Sequence, residues 1–405
     1  MVCARVDQAV PAQATSSLQQ LAERFDVWLA GAALLLLAFG LIMIASASIS
    51  IAEREFGAPL YFFWRQAAYA GIGLGLALSL TRIPVRYWHR CDKWILAMGA
   101  LLLVAVLVPG LGKEINGSMR WFRFGGVSVQ PSELVKLALI VYMAGYLVRR
   151  GDEVRTMLSG FFKPIGILAV LAALLLLEPD YGATVVLCAT VLGMLFLGGV
   201  PLRIFFSWAT VIAGIFAAIL LVAPYRLERL SMFLDPWADP YGKGFQLTQA
   251  LIAVGRGEWF GVGLGSSVQK LSYLPEAHTD FLFAVLAEEL GLFGVVVVIS
   301  LFVLVVSRAF MIGYRSEGKG RLFEAYLAYG VGLVVGLQAF INIGVNLGVL
   351  PTKGLTLPLM SYGGSSVVAT CAAIGLLLRI DYETRYQISR AHARRQCQEI
   401  AVQKY

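Results

Sequence analysis

Four polar motifs interrupt a chain that is otherwise strongly apolar. They are Gln130-Pro131-Ser132-Glu133 with Lys136; Glu178-Pro179-Asp180-Tyr181; Pro275-Glu276-Ala277-His278-Thr279-Asp280; and Pro351-Thr352-Lys353-Gly354 followed by Ser361-Tyr362-Gly363-Gly364-Ser365-Ser366. Ionisable groups set against hydrocarbon cost about 2.5–3.5 kcal/mol each on insertion scales, so they mark function by default. Asp280 stands where a polar stretch enters an apolar run. Partial desolvation there raises a carboxyl pKa and makes the carboxylate a better proton acceptor. A lysine such as Lys136 nearby would keep it ionised. The plainer role for such an aspartate is a helix N-cap, but Glu276 and His278 beside it exceed what a cap requires. Glu133 and Lys136, three residues apart, share a helix face and can pair, either as part of a site or as a purely structural ion pair.

The other candidates are anion binders. Arg120 and Arg123, after Asn116-Gly117-Ser118, can hold phosphate bidentately or contact lipid headgroups. Lys353 precedes an expected helix start, where free N–H groups favour anions. Arg65 can serve the same site or snorkel to the interface. Asp180, Glu276, His278, Ser361 and Ser365 complete the set of substrate-binding candidates. Read as metal ligands, Glu276, His278 and Asp280 fit no common zinc spacing and have no cysteine to join them. Glu288 and Glu289 lie deeper along the same run, either in a polar core or in a helix-packing contact.

The elements that position these residues follow from composition. Of 405 residues, 59% are hydrophobic and 14% charged, and the mean hydropathy is +0.75. A soluble domain is nearer half apolar and a quarter charged, so lipid must cover the excess. A spanning helix needs about 20 apolar residues. Continuous runs near 27–48, 61–81, 94–112, 133–149, 162–178, 182–199, 203–224, 281–307, 323–350 and 358–379 predict an all-α, polytopic integral membrane protein with about ten transmembrane helices. Residues 1–26 form a tail without a cleavable signal, 27–379 the transmembrane domain, and 380–405 a second tail. A large extracytoplasmic loop, 225–280, separates helices seven and eight. Its stretch from Phe245 to Val254 reads as a short amphipathic helix suited to the interface.

Orientation follows from charge. Most of the 33 Lys and Arg residues fall on the side shared by both tails, which the positive-inside rule makes cytoplasmic. The net charge of +8 is therefore a topology signal, with no nucleic-acid partner implied. On this arrangement the polar motifs face outward, while the cytoplasmic loops offer basic residues and ordinary turn chemistry. The five cysteines show no metal or redox spacing. An outward cavity with a base, anion-binding elements and lateral access to membrane lipid suits a lipid phosphate substrate.

The run from Asn116 to Trp121 with Gln130-Pro131-Ser132-Glu133, then Glu178 to Gly182, Leu274 to Phe281, and Leu350 to Gly354 through Ser361 to Ser366, resembles the SEDS family (shape, elongation, division, sporulation) over nearly the whole membrane domain. The stretch Pro351 to Pro358 is most similar to the division member. The resemblance implies a peptidoglycan glycosyltransferase of the bacterial inner membrane, at the division septum. It would polymerise lipid II on the outer leaflet and release undecaprenyl diphosphate. It implies an essential aspartate at Asp280, a Ser-Glu-x-x-Lys pattern at Glu133 and Lys136, and a Pro-Asp-x-Gly turn at Asp180. It also implies a class B penicillin-binding protein and other divisome membrane proteins as partners. Tyr181 and Ala183 depart from the commoner family residues without touching a proposed catalytic group.

Under this reading Asp280 takes the proton of a sugar hydroxyl, and Lys136, Arg120, Arg123 or Lys353 stabilises the leaving diphosphate. A divalent cation such as Mg2+ can assist, though no dedicated cage is visible in the sequence. Two other classes compete. A lipid II flippase should carry polar groups through the midplane, opening to both sides, whereas the inward halves of these spans are nearly bare of them. A non-catalytic divisome scaffold would not need Asp280.

Overall fold

The structure, a computed structural model, describes residues 25–115, 118–124, 127–157, 159–222, 233–242, 244–270, 274, 276–351 and 354–402. Lys353, Asn116 and the first tail, with its Arg5 and Arg24, lie outside the described residues. Each expected span is met by a helix. These are α1 (Val27–Phe56), α2 (Tyr61–Leu80), α3 (Val85–Leu107), α4 (Pro131–Thr156), α5 (Ser159–Leu177), α6 (Tyr181–Leu197) and α7 (Leu202–Val222), followed by the short α8 (Phe245–Gly257), then α9 (Leu282–Glu317), α10 (Leu322–Asn346) and α11 (Gly364–Val402). Six of them are long and apolar enough to cross a membrane. The chain is a helical, polytopic membrane protein.

Local chemistry sets the helix ends. Asp26 caps α1 by accepting from the Leu29 N–H (3.0 Å), and Gly57 closes that helix at φ 64°. Pro131 starts α4, where a missing N–H costs nothing, and Glu133 sits in its first turn. α11 begins at Gly364, six residues after the start expected for the tenth span. The stretch before it turns instead, with Leu359 at φ 64°, because Pro358 and two consecutive glycines oppose a helix. α11 then continues through residue 379 without interruption.

Between α3 and α4 the chain forms a three-stranded antiparallel sheet, β1 (Lys113–Ile115), β2 (Ser118–Phe124) and β3 (Val127–Val129), in the order β1-β2-β3. The helix-only expectation missed it. Strands this short give no long apolar run, and the alternation in β2 is broken where Trp121 and Phe122 stand side by side. Irregular backbone is tolerated at such a place only where its polar groups are paired, and the sheet pairs them.

α9 is broken at Gly291 (φ 64°, ψ −164°). The freed groups are taken by the segment after α8. Val262 and Gly263 donate to the carbonyls of Glu288 and Glu289, while Leu292 and Phe293 donate to those of Glu258 and Trp259, all at 2.9–3.1 Å. A side chain at 291 would meet the Gly261 nitrogen at 2.4 Å. α8 thus packs against α9. Glu288 and Glu289 form a fully buried polar core: Glu289 accepts from Ser46 of α1 (2.6 Å) and Lys270 (2.9 Å), and Glu288 from the Val268 N–H (3.2 Å) and Ser267.

Candidate active site

A cavity of about 510 Å³ opens at the end of the bundle that carries the sheet. It is lined by Phe62, Arg65 and Tyr69 of α2, by Ser118, Arg120, Trp121, Arg123 and Ser128 of the sheet, by Gln130, by Glu276, His278, Thr279 and Asp280, and by Gly354, Thr356 and the 362–366 stretch. Segments more than 200 residues apart thus converge, including three of the four motifs singled out above.

Asp280 sits just before α9, whose N-cap is Phe281 with no side-chain cap bond. Its carboxyl does not cap the helix, and among the described residues nothing hydrogen-bonds it. Gly354 approaches closely: a Cβ there would lie 3.0 Å from Asp280 Oδ2, so the glycine leaves the carboxyl room. Burial, then the nearby Glu276 and Asp180 charges, push the Asp280 carboxyl up to about 7, against the opposing pull of Arg120. Near neutral pH such a carboxyl both accepts and releases a proton.

His278 is buried between the rings of Phe62 (4.5 Å between centroids) and Tyr362 (5.5 Å). Burial pushes its imidazole below the ordinary range, and its Nδ1 has no partner among the described residues. Its carbonyl accepts from the Tyr362 N–H (2.9 Å), tying the Asp280 segment to the approach to α11. Glu276, at φ 57°, is exposed, and its carboxylate accepts from Thr279 Oγ1 (2.8 Å).

The anion-binding candidates divide. Arg65, Arg120 and Arg123 all line the cavity. Arg120 is held by the turn after α5, donating to the carbonyls of Glu178 and Pro179 (2.8 Å each) and to Ser118 Oγ (3.0 Å). Arg123 is exposed on β2, and Arg65 donates to the Tyr61 hydroxyl (3.1 Å). Glu178 beneath them is fully buried, with neither carboxyl oxygen hydrogen-bonded among the described residues, and burial followed by Asp180 pushes it up to about 8.

Four candidates are placed away from the cavity. Asp180 is buried and spent on structure: it caps α6 through the Ala183 N–H (3.1 Å) and accepts from Gln130 Nε2 (2.9 Å) and Ser132 Oγ (3.2 Å). Ser361 accepts from the Leu357 N–H (2.9 Å) inside a turn. Glu133 and Lys136 lie one layer below, 8% and 4% exposed. The Lys136 ammonium donates to Glu133 (2.8 Å) and to Gln338 (2.6 Å), so the expectation that it directly ionises Asp280 gives way to a buried, internally paired lysine. Ser365, by contrast, lines the cavity, and its hydroxyl has no hydrogen-bond partner among the described residues.

Sequence reasoning overlooked Gln338, Asn342 and Asn346, three amides on α10. Asn342 and Asn346 donate to the Asp280 carbonyl (2.9 and 3.0 Å), and Gln338 Nε2 donates to the Thr356 carbonyl (3.0 Å). Their signal was available: amides at four-residue steps in an apolar span are costly unless they bond across helices.

Residues 27–386 match the family described as "Cell cycle protein", which takes in FtsW, RodA and SpoVE. A Nitrosococcus halophilus protein named probable peptidoglycan glycosyltransferase FtsW is 56% identical over 361 residues, covering 89% of this chain and 93% of that one. A Legionella pneumophila protein of the same name is 54% identical over 363 residues, covering 90% and 92%. Among solved structures, a chain from a study titled "Structural coordination of polymerization and crosslinking by a peptidoglycan synthase complex" aligns with a TM-score of 0.72 at 33% identity, covering 90% of this chain and 99% of that one. The rod shape determining protein RodA of Thermus thermophilus aligns with a TM-score of 0.66 at 31% identity, covering 89% and 98%. The family match over residues 27–386, relatives more than half identical at matched length and a common helical architecture together mean that this chain belongs to the FtsW, RodA and SpoVE family of cell cycle proteins.

Proposed function

We propose that this chain is a peptidoglycan glycosyltransferase that polymerises lipid II, with Asp280 as general base. The observation that carries the reading is the Asp280 carboxyl: partly buried, unbonded by any described side chain, and facing a cavity of about 510 Å³ that three arginines also line. A sugar hydroxyl is a poor nucleophile at neutral pH. Asp280 takes its proton as the oxygen attacks the anomeric carbon of the donor, a role worth typically 10²–10⁴-fold. The bond from that carbon to the diphosphate breaks, and the electron pair leaves on the lipid diphosphate. Arg65, Arg120 and Arg123 stabilise that developing charge, with Lys353 as a further cation. A single displacement inverts the anomeric centre, and Asp280 then returns its proton to solvent. Glu276, His278 and Ser365 line the bound sugars. Asp180, Ser361, Glu133 and Lys136 support the site from behind.

The cavity faces outward, with both tails cytoplasmic, because the lysine and arginine bias lies with the tails. The septum is the place of action and a class B penicillin-binding protein the partner, as the division-type motif at 351–358 suggests. A divalent ion such as Mg2+ would be bound by the substrate diphosphate; among the described residues no group of three metal-ligating side chains gathers. The space beside Lys136 and Gln338 is only about 30 Å³, room for about two waters. That favours chemistry at one face over passage of a headgroup.

The test supplies labelled lipid II to the purified protein with a class B partner. Glycan strands from the native sequence and none from a folded, partner-binding Asp280→Ala variant are expected. Undiminished polymer from Asp280→Ala would overturn the mechanism, and lipid translocation without polymer would replace it with a flippase.

A further inference from the structure

Gln338, Asn342 and Asn346 of α10 follow one another at four-residue steps, which stacks them on one helix face. They are 4%, 2% and 0% exposed. A buried amide left unpaired is costly, so where these groups find partners is informative. Beyond their own helix, their bonds go to the two segments that frame the Asp280 carboxyl and to Lys136. Asn342 and Asn346 both donate to the Asp280 carbonyl, at 2.9 and 3.0 Å. Asn342 also donates to the Leu355 carbonyl. Asn346 Oδ1 accepts from the Ala284 N–H (3.0 Å), in the first turn of α9. Gln338 donates to the Thr356 carbonyl (3.0 Å) and accepts from Lys136 Nζ (2.6 Å). Lys136 is in turn paired to Glu133 (2.8 Å).

We propose that this amide ladder is the positioning device of the active site: it fixes the Asp280 backbone and the 354–356 stretch against each other, and Lys136 acts through it rather than on the substrate. The inference rests on reading Asp280 as the base. Two donors on one carbonyl hold the peptide plane from which the Asp280 side chain springs. The same helix face holds the stretch whose Gly354 abuts the carboxyl. A catalytic group must be held within about 0.5 Å of its productive place, and a misplacement of about 1 Å can cost on the order of 10²-fold. Simple helix packing would not explain the pattern, since every amide N–H bond that leaves α10 ends on a loop carbonyl, that of Asp280, Leu355 or Thr356.

The measurement is steady-state lipid II polymerisation by the full chain with its partner, as a function of pH. Asn346→Ala and the milder Asn342→Ser are compared with Thr190→Ala, an equally buried polar residue of α6 whose hydroxyl bonds only within its own helix. In Asn346→Ala, kcat falls on the order of 10²-fold with KM nearly unchanged, and Asn342→Ser shows a smaller loss of the same kind. In both, the acid limb of the pH–rate profile moves to lower pH as the loosened carboxyl gains water. Thr190→Ala retains native kcat and profile. Should Asn346→Ala not fold, Asn342→Ser decides alone. Folded ladder variants with native kcat and pH profile, or a loss shared by Thr190→Ala, overturn the inference. For Lys136, the Gln variant, which can still donate to Gln338, retains far more kcat than Lys136→Met. Equal loss in both would mean that the lysine charge itself acts. Asp280→Ala in the same assay separates the two levels: if it polymerises, the base assignment fails whatever the ladder variants do.

Discussion

At the arginine-rich end of the bundle Asp26 pairs with Arg308 and Arg385, Asp92 with Arg149, and Arg321 with both Glu324 and Glu383. At the sheet end the Asp280 carboxyl, His278 Nδ1 and Ser365 Oγ stand without described partners around an open cavity. The first end was expected to offer basic residues and turns; it is instead a set of ion pairs that ties α1, α9, α10 and α11 together. The second end keeps polar groups unspent. One end neutralises its charges in ion pairs, while the other keeps polar groups available to a ligand, which supports the site proposed above.

This contrast breaks first at Asp280. Asp280→Asn keeps the volume and removes the base; polymerisation of lipid II should fall by about 10²–10⁴-fold, measured as glycan product per folded enzyme. Next comes the buried pair. Lys136→Met leaves Glu133 as an uncompensated buried charge and should cost about 3–5 kcal/mol. Adding Glu133→Leu should restore most of the melting temperature in detergent, since a well-packed apolar pair is often as stable.

The pH dependence follows from the raised Asp280 carboxyl. The base form is the deprotonated one, so the rate should climb with pH and level off above about 7. Below that, kcat/KM should fall about tenfold per pH unit. A profile flat down to pH 5 would contradict the placement of Asp280. At the opposite end, Asp26→Ala removes a helix cap and the Arg308 partner. Its expected cost is roughly 1–3 kcal/mol of stability, with turnover per folded molecule unchanged. Arg150→Ala, in a largely exposed pair with Glu153, should change stability by less than about 0.5 kcal/mol, and a large loss there would erase the contrast between exposed and buried pairs.

Much of this was legible in the one-dimensional chain. A run of apolar residues long enough to span declares itself because hydrocarbon thickness and helix rise are fixed, and helices follow at each predicted run. Proline and glycine punctuation placed most helix ends, although 358–363 turned where a helix start was expected. The polar motifs named most of the residues that line the cavity, and the family resemblance supplied the reaction class. The three-stranded sheet escaped because seven residues of β2 are too few for an apolar run to register. Asp180, Ser361 and Lys136 were read as site groups because their types suit it; nothing in their spacing shows that Gln130, Leu357 and Gln338 have already claimed their hydrogen bonds.

Hydrophobicity, charge bias and helix length are properties of contiguous residues, so the sequence by itself determined that this is a polytopic helical protein with its unusual polar residues in a few motifs. Which of those residues remain available was decided only by tertiary structure. Each donor or acceptor can be spent once, and the partners that spend it, such as Gln338 for Lys136 at 202 residues' distance or Asn346 for the Asp280 carbonyl at 66, are brought within reach only when the bundle closes.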